Sequence, residues 1–172
     1  MSKTVLIVDD DRAVRDALAQ TLELEGLRPV LAGSFIEAKD HISAEFDGAV
    51  LSDMRMPGRD GFHLLAHARG VDPELPVILL TGEGDIPMAV KAMGEGAFDF
   101  LEKPCAPEAL LAVLRRALTT RALVLENRAL KAEALAGDAA ARMIFGTSQK
   151  AEDLRSRVRK LARLDVEALV TG

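Results

Sequence analysis

Five short, nearly unbroken apolar runs, separated by segments of helical pattern, constrain this chain more than any other feature. They are Thr4–Val8, Pro29–Ala32, Ala49–Ser52, Val77–Leu80 and Ala97–Leu101. A strand with one wet face alternates apolar and polar residues, whereas a strand covered on both faces does not. These runs read as the second kind. The first segment between them, Arg12–Glu25, assigns Val14, Leu18, Thr21, Leu22 and Leu24 to one face, with Gly26 as its stop. A second helix opens at the S-x-x-E spacing of Ser34 and Glu37 and runs to about Ala44. Gly61–Arg69 and Ile86–Gly94 supply two more. Five β-α units in succession predict a doubly wound α/β domain on a parallel sheet.

From Pro107 the pattern changes. No Pro or Gly interrupts before Gly137, so residues 107–136 read as one helix. Leu118, Ala122, Leu125, Ala129 and Ala132 recur at alternating spacings of four and three, which is a coiled-coil seam. Residues 137–148 look like a linker, Gln149–Leu164 looks helical, and Val166–Val170 looks like a strand with the chain stopping soon after it. The expected organisation is a folded domain over 1–120, a helical coiled-coil linker over 121–147 and the opening elements of a partial second domain over 148–172.

Charge and cysteine content narrow the function classes. A net charge of -5 without a Lys/Arg-rich run argues against general nucleic-acid binding. One cysteine, Cys105, excludes an internal disulfide framework and suits a reducing compartment. The apolar run Val5–Val8 is too short for a signal peptide and ends in acid. No apolar stretch approaches the length of a membrane span. A cytoplasmic location is the expectation.

In open α/β sheets ligands bind beyond the carboxyl ends of the strands. The first run ends in Asp9-Asp10-Asp11, the third in Asp53 and the fourth in Thr81, while Lys103-Pro104 follows the fifth. Carboxylates, a hydroxyl and an ammonium thus meet on one rim. Adjacent like charges disfavour one another's ionisation, so three acids at a buried strand end call for a cation and predict raised carboxylate pKa values without one. Few protein ligands, with room for water and phosphate, suit Mg²⁺. A carboxylate beside that ion can attack a phosphoryl group, with Lys103 and Thr81 as donors to its oxygens.

VDDD after the first run, SDMRMPGRDG around Asp53, LLTGEGD after the fourth run and FDFLEKP after the fifth resemble the receiver domain of two-component response regulators, over residues 3 to about 120. The resemblance implies a flavodoxin-like α/β fold, a doubly wound five-stranded parallel sheet with an extended C-terminal helix. It makes Asp53 the phosphoacceptor. Asp9, Asp10 and Asp53, with the backbone carbonyl of Arg55, become the magnesium ligands, and Asp11 lies one step too far along. Thr81 becomes the switch hydroxyl, Phe100 the aromatic that moves with it, and Lys103 the contact to the phosphoryl group. The Lys103–Pro104 bond is expected to be cis. Cys105 departs from the pattern, since a Phe often follows this Pro. A sensor histidine kinase is the implied donor, and a homodimer through the last helix and linker the implied output.

The remaining chain narrows the resemblance. GDIPMAVKAMGEGAFDFLEKP, the ENRAL helix and GTSQKAEDLRSRVRKLARLDVEALVTG resemble NtrC-type activators of sigma-54 RNA polymerase, and among these the C4-dicarboxylate transport regulators. In that family Gly172 would open the Walker A loop of an AAA+ ATPase. The loop's lysine and everything beyond it are absent from these residues, so ATP hydrolysis, polymerase contact and DNA binding would belong to other domains.

Two other classes stand beside this one. A haloacid-dehalogenase-type phosphatase also forms an aspartyl phosphate with Mg²⁺, and Asp9-Asp10-Asp11 imitates its D-x-D motif. Ala13 then stands where that motif expects Thr or Val, and Asp53 and MPGRDG go unexplained. A degenerate receiver acting as a phosphorylation-independent dimerisation module is the other, against which every motif position is intact. His63 and His67 lack a third ligand, Gly82-Glu83-Gly84 lacks a phosphate-loop lysine, and Cys105 reads as an inert thiol.

Overall fold

A computed structural model describes residues 3–82 and 84–145, with side chains as far as Ala140. The segments read as helix 149–164 and strand 166–170 lie outside the described residues. The elements alternate as β1 (Thr4–Val8), α1 (Arg12–Leu24), β2 (Arg28–Ala32), α2 (Phe35–Lys39), β3 (Gly48–Asp53), α3 (Gly61–Val71), β4 (Val77–Thr81), α4 (Ile86–Gly94), β5 (Asp99–Glu102) and α5 (Pro107–Phe145). The strands form one parallel sheet in the order β2-β1-β3-β4-β5. The chain divides at Ala122, within α5, and the sheet belongs wholly to the first unit.

The unbroken apolar runs have the expected cause. Successive side chains of a strand point to opposite faces, and both faces are covered. Leu6 and Val8 of β1 join Val50, Leu79, Leu64 and Ala92 in the layer under α2, α3 and α4. Val5 and Ile7 join Leu51, Ile78, Leu22, Leu114 and Leu118 in the layer under α1 and α5.

Some boundaries move. Leu24 is 80% exposed, because it lies two residues and about 200° of helix from the buried Leu22, on the opposite face. α1 ends where Gly26 takes a φ of 78° and Leu27 N–H bonds back to the Leu22 carbonyl at 3.0 Å. α2 stops at Lys39 rather than near Ala44, as His41 and Ile42 turn tightly onto the carbonyls of Ala38 and Lys39. Its capping box is displaced: Ser34 Oγ accepts from Glu37 N–H, but the Glu37 carboxylate accepts from Gly33 N–H at 2.5 Å. β5 begins at Asp99 rather than Ala97. α5 runs through Gly137 to Phe145 and so removes most of the expected linker loop. A single mid-helix glycine costs only about 1 kcal/mol relative to Ala, and alanines surround this one.

Candidate functional site

β1 and β3 are neighbours at the centre of the sheet, and Val8 sits level with Ser52. The next residue on each strand, Asp9 and Asp53, therefore emerges at the same carboxyl edge. Asp9 is 1% exposed. Its Oδ1 accepts Asp11 N–H at 2.9 Å, and Arg15 donates to its backbone carbonyl at 2.7 Å. One carboxylate oxygen each from Asp9, Asp10 and Asp53 can be chosen so that all lie within 4.8 Å of one another. That spread fits a common cation at metal–oxygen distances of about 2.0–2.6 Å. Among the described residues this is the group of acids, histidines and cysteine able to hold a metal. Asp11 is outside it: its carboxylate caps α1, accepting from Ala13 and Val14 N–H.

Lys103 reaches the acids from beyond β5. Its backbone N–H donates to the Thr81 carbonyl at 2.7 Å, and its Nζ lies 3.2 Å from Asp53 Oδ1 and 3.5 Å from Asp9 Oδ2. Burial alone would lower the Lys103 pKa, but the charges of Asp53 and Asp9 outweigh it and hold the ammonium above its usual range. Burial pushes the Asp53 carboxyl up, Lys103 opposes this and Asp9 reinforces it. The raised carboxyl is thus that of Asp53, outside the run of three consecutive acids, and burial is its largest cause. With 15% of its side chain exposed, Asp53 stays open to a small donor. The Lys103–Pro104 bond is cis. Beside it, burial raises the pKa of the half-buried Cys105 thiol, in keeping with an unreactive role.

The remaining predicted residues lie on β4, on β5 and in the connection after β3. Thr81 is fully buried, and its hydroxyl donates to the Leu101 carbonyl at 3.4 Å. Phe100 is half-buried against the α2–α4 layer. The Arg55 guanidinium grips the Asp85 carboxylate with two nitrogens, Nε at 2.8 Å, and thereby ties the connection after β3 to the one after β4. The hydrogen bonds from Arg55 hold Asp85 below the usual carboxylate range. His63 and His67 form no site: His63 meets the α3 cap Asp60 at 2.9 Å, and His67 meets Phe35 edge-on.

Sequence reasoning missed three supports. Asp85 reads as one more turn acid, because nothing marks its partner 30 residues away. Arg15 is one more helix-surface base until α1 docks. Gly61 opens α3 so close to the phosphoacceptor strand that an added Cβ would lie 2.9 Å from the Asp53 carbonyl oxygen and 3.0 Å from Met54 Cα. The second glycine of MPGRDG was the available signal for that close approach.

Comparison with known proteins decides the family. Residues 5–115 match the response regulator receiver domain. The chain belongs to the response-regulator receiver family. It is 46% identical over 169 residues to the C4-dicarboxylate transport transcriptional regulatory protein DctD of Rhizobium meliloti, covering 98% of this chain and 36% of that protein. The chain therefore spans about a third of that relative's length. A receiver domain protein from Clostridium thermocellum superposes with a TM-score of 0.67 at 30% identity, covering 70% of this chain and 98% of that one. The receiver domain of NtrX from Brucella abortus gives 0.64 at 37% identity, covering 67% and 98%. The receiver thus has the flavodoxin-like sheet order, and its role is phosphorylation-dependent signalling in a two-component system. No helix among the described residues is long and apolar enough to cross a membrane.

Proposed function

We propose that Asp53 is the phosphoacceptor of this receiver and that a sensor histidine kinase is the donor. The observation that carries this reading is the meeting of Asp53 with Lys103 at 3.2 Å inside a three-carboxylate cluster. An Asp53 oxygen attacks phosphorus as the bond to the donor imidazole nitrogen breaks, and the imidazole leaves with the electron pair. The Lys103 ammonium stands where charge gathers on the transferring phosphoryl oxygens. Asp9, Asp10, Asp53 and the Arg55 carbonyl would hold Mg²⁺, which supplies further charge neutralisation there. Thr81 and Phe100 form the switch that follows, and the output passes along α5 to pairing of two protomers. In a full-length protein that pairing would govern a sigma-54 activator ATPase lying beyond this receiver.

The test is acid-labile labelling with a small phosphodonor such as acetyl phosphate and Mg²⁺, followed by mapping of the modified residue. Label on Asp53, absent from Asp53→Asn, is the expected outcome. Label on Asp9 would replace this reading with the phosphatase-type one. Absence of label at any carboxylate, with dimerisation intact, would make the chain a phosphorylation-independent dimeriser.

A further inference from the structure

The buried stripe of α5 runs through Leu110, Leu111, Val113, Leu114, Ala117 and Leu118, and its next member is a cation. Arg121 is fully buried, and so is its carboxylate partner Asp72 at 3% exposure. Each guanidinium nitrogen has a separate acceptor: Nε the Phe46 carbonyl at 2.9 Å, Nη1 Asp72 Oδ2 at 2.8 Å and Nη2 the Ala44 carbonyl at 2.9 Å. An apolar residue could continue the stripe, and buried ion pairs are often no more stable than apolar replacements. The fork adds direction. Apolar stripes tolerate small rotations and slides, whereas a planar guanidinium on three fixed acceptors accepts one helical phase and one height.

The acceptors sit in two connections. Ala44 and Phe46 precede β3, which ends in Asp53, and Asp72 precedes β4, which ends in Thr81. The clamp thus grips the amino ends of the two strands whose carboxyl ends carry the proposed phosphoacceptor and switch hydroxyl. It also sits one residue before the unit boundary at Ala122, after which Leu123 is exposed. We propose that Arg121 is the positioning residue that fixes α5 to the receiver and so sets the phase in which the helix continues toward its output. The inference rests on the proposed reading that Asp53 is the phosphoacceptor and α5 the output.

The test uses the full chain with three variants: Arg121→Lys, the apolar pair Arg121→Met/Asp72→Leu, and the core control Leu22→Ala, which lies in α1 in the same layer as Leu118 and makes none of the clamp's hydrogen bonds. Amide hydrogen exchange of residues 116–126 is followed first, without phosphodonor. Both clamp variants should exchange there roughly tenfold faster than the control of equal or lower melting temperature. Acetyl-phosphate labelling of Asp53 should stay within about twofold of wild type, as the sites are distant. The change of hydrodynamic radius on adding Mg²⁺ and beryllofluoride should be lost in the apolar pair even where its melting temperature is restored. Exchange no faster than in Leu22→Ala, or a wild-type response in the apolar pair, overturns the proposal. A wild type that is labelled on Asp53 but never changes radius removes the output reading, and the exchange comparison still decides the anchor. A wild type that takes no label removes the phosphoacceptor reading instead.

Discussion

Replacing Arg121 with Met keeps an unbranched apolar stem out to about the position of Nε and removes the guanidinium. The structure sets the cost. Arg121 has no exposed surface, so water does not substitute for the lost donors at its own position. Three hydrogen bonds of 2.8–2.9 Å disappear, one of them to a carboxylate. Removing one partner of a buried pair costs about 3–5 kcal/mol, mostly because the other charge is stranded. Asp72 is not wholly stranded here, since its Oδ1 still accepts Glu74 N–H at 3.0 Å. The lower end, about 3 kcal/mol, is therefore expected. For a domain of this size that is a fall of about 10 °C in melting temperature. Urea unfolding followed by circular dichroism measures it, with an unchanged m-value showing that the unfolded state is not the cause. Adding Asp72→Leu should recover part of the loss, because the second charge then goes too. A loss below about 1 kcal/mol for Arg121→Met would refute the reasoning, as it would mean the fork adds little beyond its aliphatic stem.

Gly61→Ala should cost about 1–3 kcal/mol, because its Cβ presses on backbone atoms of Asp53 and Met54 that cannot swing aside, and should slow labelling of Asp53; calorimetry and labelling rates check both. Asp53 binds its proton more tightly folded than unfolded, so metal-free wild type should lose stability relative to Asp53→Asn as pH rises from the ordinary aspartate range through the raised folded value, with the difference independent of pH below that window. A difference of opposite slope in denaturation at several pH values would sink the primacy of burial. Adding Mg²⁺ should raise the melting temperature, by about 2.7 kcal/mol of stability at a hundredfold excess over the dissociation constant, and chelation or Asp10→Asn should remove the gain. Leu118→Ala should cost about 2–5 kcal/mol of domain stability, since the residue is 1% exposed in the core, whereas Leu125→Asp should weaken protomer pairing in light scattering and leave the domain's unfolding unchanged.

The sheet was legible because its strands are buried on both faces, and an unbroken apolar run records that condition directly. The site was legible for a related reason. Residues that follow strands in a parallel sheet share one edge, so Asp9, Asp53, Thr81 and Lys103 could be grouped without knowing any distance. What stayed hidden depends on pairing across the chain. Arg55 finds Asp85 and Arg121 finds Asp72 only once loops dock, and no local spacing encodes either. On α5 the first member of the seam, Leu118, is spent on the sheet's core, as expected for the first turns of that helix, while Ala129 and Ala132 farther along are exposed. Leu24 was a different kind of miss, an error of helical phase that the 3.6-residue period already forbids.

The hydrogen bond between Thr81 and Leu101 links the proposed chemistry to the proposed output. Leu101 faces the layer under α1 and α5, and its neighbour Phe100 faces the layer under α2, α3 and α4. The carbonyl that accepts from Thr81 is that of Leu101, one residue past Phe100. The Thr81 hydroxyl holds that carbonyl at 3.4 Å, a long bond and a correspondingly weak one. A phosphoryl group on Asp53 would offer the same hydroxyl charged oxygens, and charge-assisted bonds are roughly twice as strong as neutral ones. The exchange is favoured on that ground, and it would free the Leu101 carbonyl of this one bond while β5 stays paired with β4. Asp99 on the same strand is held by Arg116 of α5 at 2.6 Å, so the strand that loses this bond is tied to the proposed output helix. On this reading the signal needs no long pathway. The strand that loses this one hydrogen bond is already bonded to α5, the helix whose phase Arg121 is proposed to fix.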